Sequence, residues 1–274
     1  MSKVSVAYQL YSARDLVQQD MKAVLQQVKT IGYDGVEFAG FFGLPAEQVK
    51  AMLDDVGLKA VSSHVPIQLM QADMFGTIAY HQKIGCPYIA IPYLDEHDRP
   101  GSAGFAGIIR FISRFGKLCS KAGIQLLYHN HDFEFVEVSG IFGLDFLYEA
   151  VPAECLKTQI DTCWVKYAGV NPAEYVMKYA GRAPVVHLKD YVGVRSGSVP
   201  YALVGKQEKK DDQPTQEFEF RPFGHGSHDA KAVVEAGIAA GASWFVIEQD
   251  LPYSASPLDD AKMSLDTLNQ LGVK

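Results

Sequence analysis

The chain is poor in every feature that would place it in a specialised class. No apolar run approaches the ~20 residues of a membrane span. The opening stretch MSKVSVAYQLYSARDL has neither a basic leader with a continuous apolar segment nor an Arg-rich amphipathic pattern. We therefore expect a cytoplasmic protein with no membrane partner. Cysteine is sparse, and Cys86, Cys119, Cys155 and Cys163 show no paired short spacing. That excludes a zinc knuckle or disulfide framework and fits reduced thiols. Basic residues are outnumbered, 25 Lys and Arg against 32 Asp and Glu, for a formal charge of −7. A phosphate-backbone partner normally selects a concentrated basic face, so no nucleic acid is expected and a small molecule fits better. Low-complexity segments are absent.

What remains is an ordinary globular composition, 48% hydrophobic and 21% charged. Length suits one domain spanning residues 1–274, since α/β barrels of roughly 250 residues commonly fold as a unit. Short apolar or β-branched runs predict strands at 4–8, 35–38, 60–64, 88–92, 125–129, 158–161, 185–189 and 244–248. Helical periodicity fills the gaps at 15–30, 45–56, 68–84, 103–122, 143–150, 172–180 and 229–240, with a last helix at 257–271. Glycine separates helix end from next strand in VGLKAV, IGCPYIA, KAGIQLL and AAGASWFV. Strand then helix, eight times over, predicts an α/β fold of the (β/α)8 TIM-barrel type in preference to an open doubly wound sheet. One long insertion follows the seventh strand, from about 191 to 227. Its charged middle reads as solvated loop, QEFEFRPF alternates like a short strand, and its position suits a lid over the site.

Four strands end on side chains able to bind a divalent metal: His129, His131 and Glu134 in IQLLYHNHDFEF, Asp161 in LKTQIDTCW, His187 in APVVHLKD and Glu248 in SWFVIEQD. Carboxylates and imidazoles arriving one per strand are what a metal site at a barrel mouth needs. Period-two alternation puts His129 and His131 on one face above Gln125 and Leu127, and His187 and Lys189 on one face above Val185. Each has a structural alternative. A lone His often bonds a neighbouring loop, and a strand-terminal Asp such as Asp161 often caps the next helix. Glu248 is hardest to explain structurally, because an unpaired carboxylate in an apolar strand is costly. An inward Lys189 has the same difficulty and is a candidate to bind a substrate oxygen. Glu37 and His64, ending the second and third strands, are candidates for substrate hydroxyls. Trp164 is a candidate apolar wall for a sugar ring, and His225 of FGHGSHDA a lining residue.

YHNHDFEF, IDTCW, VVHLKD, GHGSHD and VIEQD, in that order, resemble the xylose isomerase-like TIM-barrel superfamily over essentially the whole chain. This is the sugar phosphate isomerase/epimerase group that also holds tagatose and psicose epimerases, inosose dehydratase and apurinic endonuclease IV. The resemblance implies one divalent ion, Mn²⁺ foremost with Mg²⁺, Co²⁺ or Zn²⁺ as alternatives, held by Asp161, His187 and Glu248. Epimerases of the group read ENH where this chain has His129, Asn130 and His131. Either His129 binds the ion directly or Glu134 supplies the missing carboxylate; an oxygen-rich site suited to Mn²⁺ or Mg²⁺ favours Glu134.

The resemblance further implies proton abstraction beside a carbonyl through a metal-stabilised enediolate, with Glu248 and a histidine, His129 or His131, as acid and base. The leading expectation is an isomerase or epimerase acting on a keto-sugar or polyol. The alternative is a carbon–oxygen lyase of the same barrel, an inosose-type dehydratase or a 3-keto-glycoside eliminase. A DNA repair enzyme conflicts with the acidic balance, while a metal-free sugar sensor stays open. No glycine-rich phosphate cradle follows the last two strands, which favours an unphosphorylated carbohydrate substrate. A homodimer or homotetramer is expected.

Overall fold

The computed structural model describes residues 4–194 and 218–274. Eight short strands appear within a residue or two of their predicted places: β1 (Ser5–Gln9), β2 (Gly35–Phe38), β3 (Lys59–His64), β4 (Tyr88–Ile91), β5 (Gln125–His129), β6 (Lys157–Asp161), β7 (Val185–Leu188) and β8 (Trp244–Ile247). Every neighbouring pair is parallel, and β1 closes on β8, so the sheet is a barrel without free edges. This is the predicted (β/α)8 architecture.

Alternation along each strand assigns its two faces. Ala7, Ala90, Leu127, Val185 and Val246 point inward and pack as a small layer filling the barrel. Their neighbours Val6, Ile89, Leu126, Val186 and Phe245 point outward into the large core beneath the helices. A strand buried on both faces must be apolar throughout, which is why these strands read as near-continuous hydrophobic runs. Each fully buried aliphatic side chain there stabilises the fold by about 1.5–3 kcal/mol. The next inward position toward the mouth is polar in most strands, and that switch makes the site.

The helices follow the sequence closely. Asn171 caps Pro172–Lys178 through the amides of Ala173 and Glu174, and Ser256 caps Pro257–Gln270. Gly57 and Gly85 end their helices at φ 74° and 71°, the left-handed conformation that glycine adopts without a Cβ penalty. One expectation is corrected: the helix predicted over 68–84 is two, Ile67–Ala72 and Met74–Ile84. Asp73 between them is non-helical, with φ −149°, and its carboxylate accepts from the Gly76 amide at 2.8 Å. A short helix, Thr162–Tyr167, follows β6 directly and was not predicted.

After β7, Asp190–Val192 pairs antiparallel with Glu219–Arg221, the strand that the alternation of QEFEFRPF predicts. Residues 195–217 of the insertion, and with them the expected lid, lie outside the described residues. The far end of the insertion is tied down by Asp190. Its carboxylate accepts the amides of Gly224 and Gly226 at 3.1 Å each, Ser227 at 3.0 Å and His228 at 3.2 Å. A Cβ at Gly226 would sit 2.2 Å from Asp190 Oδ1, so only glycine permits this approach. Among the described residues no helix is long and apolar enough to cross a membrane.

Candidate active site

Four consecutive strands deliver the residues at the barrel mouth. His129 and Asp161 end β5 and β6, His187 is the third residue of β7, and Glu248 follows β8. All four are buried, and one donor atom from each lies within 4.8 Å of the others. Register explains part of this. Asp161 and His187 are direct partners across β6 and β7, so two inward side chains stand side by side.

Asp161 has two tasks. Its Oδ1 accepts the Trp164 amide at 3.1 Å, starting the short helix after β6. Its Oδ2 has no hydrogen-bond donor, and faces Lys189 Nζ at 3.6 Å and His129 Nε2 at 3.7 Å. One oxygen caps the helix and the other stays available to the buried group. Asn130 fixes the backbone here, its Oδ1 accepting the Asp161 amide at 3.0 Å. Glu248 Oε2 lies 2.8 Å from His187 Nδ1 and 3.4 Å from Lys189 Nζ. Lys189 continues to Asp250 Oδ1 at 2.8 Å and lies over the Trp164 and Phe220 rings.

A second tier forms the floor. Glu37, with no exposed surface, receives Gln9 Nε2 on Oε1 and Gln159 Nε2 on Oε2, each at 2.5 Å. His64 Nε2 lies 2.9 Å and His187 Nε2 2.8 Å from the same Oε1.

The electrostatics show a site short of positive charge. Among the described residues, three buried carboxylates, Asp161, Glu248 and Asp250, face the buried ammonium of Lys189, and a fourth, Glu37, lies beneath them against His64 and His187. Burial works against a charge on His187, yet Glu37 and Glu248 outweigh it and raise the imidazole to about 10. Burial pushes Asp161 up to about 7 despite Lys189. Burial would raise Glu248 too, but Lys189 and His187 hold it well below the usual carboxylate range. His129 is driven well below its ordinary value, first by burial and then by His187 and His64, and is neutral. Left alone, the site recruits protons to balance its carboxylates; a divalent cation does the same work. Two imidazole nitrogens and two carboxylate oxygens fit such an ion, and one of the two carboxylates, that of Asp161, has an oxygen, Oδ2, with no hydrogen-bond donor.

The structure places the other predicted residues differently. Glu134 stands outside the group, and His129 takes the position expected of it. A 3-10 turn, Phe133–Phe135, folds the Glu134 carboxyl back onto its own strand, where the Tyr128 hydroxyl donates to Oε1 at 2.7 Å and the His131 amide to Oε2 at 2.8 Å. Because Tyr128 points outward, so does this carboxyl, and burial raises it to about 8.

His131 stays near the mouth, stacked on Trp164 and Phe133 and edge-on to His129 at 5.4 Å. Trp164 does not stand exposed at the rim. The short helix turns it inward, where it is fully buried and stacks on His131 and Phe218. His225 is exposed in the turn after Glu219–Arg221 and is not brought into the buried group. Glu37 and His64 do join the site, as its floor. Gln9, Gln159 and Asp250 were missed, although two of them had a signal: Gln159 and Asp250 stand two residues from Asp161 and Glu248, on the same inward face.

Residues 25–271 match the family model of the xylose isomerase-like TIM barrel. Over 272 residues the chain is 23% identical to the inosose dehydratase of Geobacillus kaustophilus, covering 90% of this chain and 86% of that one. It is 25% identical, also over 272 residues, to the rhizopine catabolism protein MocC of Rhizobium meliloti, covering 92% and 81%. Among solved structures, a sugar phosphate isomerase/epimerase from Parabacteroides distasonis superposes with a TM-score of 0.77 at 19% identity, over 98% of this chain and 94% of that one. With a match that spans nearly the whole barrel, the chain belongs to the xylose isomerase-like TIM-barrel family.

Proposed function

We propose that this protein is a divalent-metal-dependent enzyme of carbohydrate metabolism that removes a proton from the carbon beside the carbonyl of a keto-sugar or keto-polyol. One observation carries the reading: His129, Asp161, His187 and Glu248 converge in a single buried, carboxylate-rich group with Lys189 among them. Those four residues would hold the ion. When bound, it supplies a Lewis acid for the carbonyl and the adjacent hydroxyl oxygen. A mixed nitrogen and oxygen set suits Mn²⁺, Co²⁺ or Zn²⁺ better than Mg²⁺.

The chain's own groups divide the remaining work. Glu248 is ionised and takes the proton. Lys189 keeps its charge among three carboxylates and donates to the oxygen that becomes negative. His131, edge-on to His129 at 5.4 Å, is the second proton carrier, a neutral base because burial and then Lys189 drive its imidazole well below the ordinary value. Returning the proton to the neighbouring carbon, or to the other face, makes an isomerase or epimerase.

Expelling a β-hydroxyl instead makes a carbon–oxygen lyase. The near full-length likeness to an inosose dehydratase favours this second reading.

Incubating metal-loaded protein in deuterated water with keto-sugars and with inososes separates the two. Deuterium in a recovered isomer supports the isomerase, an unsaturated product supports the lyase, and no exchange with any member of either class counts against both.

A further inference from the structure

We infer that Asp250 is a positioning residue: it draws the Lys189 ammonium away from Asp161 and Glu248, so that their oxygens stay open to a cation. The inference rests on the metal reading above and concerns a buried carboxylate that this reading leaves without a task.

An ammonium and a divalent ion compete for the same carboxylate oxygens, since both bind oxygen lone pairs through positive charge. Among the described residues three carboxylates form ion pairs with Lys189 Nζ, and they are not equally close. Asp250 Oδ1 lies at 2.8 Å, Glu248 Oε2 at 3.4 Å and Asp161 Oδ2 at 3.6 Å. Asp161 and Glu248 belong to the group that could hold the ion, and Asp250 does not. The short contact therefore goes to the carboxylate that the ion can spare. The Trp164 and Phe220 rings, centred 5.2 Å and 5.5 Å from the ammonium, offer it π faces and no oxygen. Without Asp250, the lysine would have only ligand carboxylates to turn to.

Asp250 is itself held in place from the other side of the barrel seam. Its carbonyl accepts Arg14 Nη1 at 2.7 Å, and the amide of the preceding Gln249 donates to Ser12 Oγ at 2.9 Å. Arg14 Nη1 also donates to Tyr11 O at 3.1 Å. The segment after β8 is thereby tied to the 3-10 turn Leu10–Ala13 that follows β1 and to the helix residue next to it. These bonds act on the backbone, so they aim the Asp250 carboxylate and leave its oxygens to Lys189. An outer partner of this kind tunes a metal site without touching the metal.

The test uses the full chain with Zn²⁺ alone, its affinity read by competition against a chelator. Asp250→Asn should weaken Zn²⁺ binding about 10–100-fold, the effect an outer partner has, and Asp250→Glu should recover part of it. In a Lys189→Met background the same Asp250→Asn change should cost much less, because no ammonium is left to misplace. Equal losses in both backgrounds would mean that Asp250 acts by its charge alone, and would overturn the inference while leaving the metal reading intact. Unchanged affinity in a folded Asp250→Asn protein does the same. Failure of the unaltered chain to take up Zn²⁺, Mn²⁺ or Co²⁺ overturns both. Should a variant not fold, a crystal structure of the unaltered chain with Zn²⁺ decides: Nζ nearest Asp250 supports the inference, and Nζ nearest Glu248 or Asp161 overturns it.

Discussion

Lys189 is paired with Asp250, Nζ to Oδ1 at 2.8 Å, while the same ammonium stands 3.4 Å from Glu248 and 3.6 Å from Asp161. One buried cation thus serves three buried carboxylates, two of which belong to the group that could hold a metal ion. The pairing with Asp250 keeps the lysine anchored to one side.

Removing that charge should expose the deficit. Lys189→Met leaves three carboxylates unbalanced, and breaking a buried pair by deleting one partner costs about 3–5 kcal/mol. Urea unfolding without divalent ions should show a loss of that size, and saturating Mn²⁺ should recover much of it. Equal losses with and without Mn²⁺ would show that no ion shares the charge.

The two tasks of Asp161 can be separated. Asp161→Asn keeps an oxygen to accept the Trp164 amide while removing the charge, so folding should survive. Bound metal, read by elemental analysis, should fall by at least the roughly 10–100-fold that even an outer partner is worth. Asp161→Ala should lose the metal and also about 1 kcal/mol from the missing cap. Metal content unchanged in either variant removes Asp161 from the ligand set.

Glu134 sets a pH dependence of its own. Burial raises its carboxyl to about 8 from an unfolded value near 4.5. Between those values the folded chain holds a proton that the unfolded chain has released. Stability therefore falls as pH rises through the window. Glu134→Gln mimics the neutral acid and should gain on the unaltered chain at pH 8 relative to pH 5. Parallel urea midpoints across that range would falsify the assignment.

The amide nest around Asp190 depends on Gly226. A Cβ there would also lie 2.7 Å from Tyr191 O, so Gly226→Ala should cost about 1–3 kcal/mol through overpacking. Amide exchange at Gly224, Ser227 and His228 should quicken, while that of β1 to β4 stays as it was. Uniform quickening everywhere would mean that the loop is not an independent unit.

Much of this was legible in the chain because it follows from local rules. Period-two alternation fixes which side chains of IQLLYH, VVHLK and WFVIE share a face, and glycine after several of the helices marks the return to a strand. Asp161, His187, Glu248 and Lys189 could all be named on that basis. The split at Asp73 was not legible, since a single capping aspartate interrupts an otherwise continuous helical pattern. Nor was the burial of Trp164, which depends on the short helix that Asp161 starts.

Residue order alone therefore determined the barrel and the strand ends, because alternation and capping act over a few residues. Tertiary structure decided the membership of the site. Past His129 the chain bends back, so that Glu134 meets Tyr128 outside the barrel and the imidazole is left facing Asp161. Closing the barrel brought Gln9 and Gln159, 28 and 122 residues away, onto the two oxygens of Glu37. The physical reason is that register and closure act between strands distant in the chain, where no short-range pattern can record which inward side chains will meet.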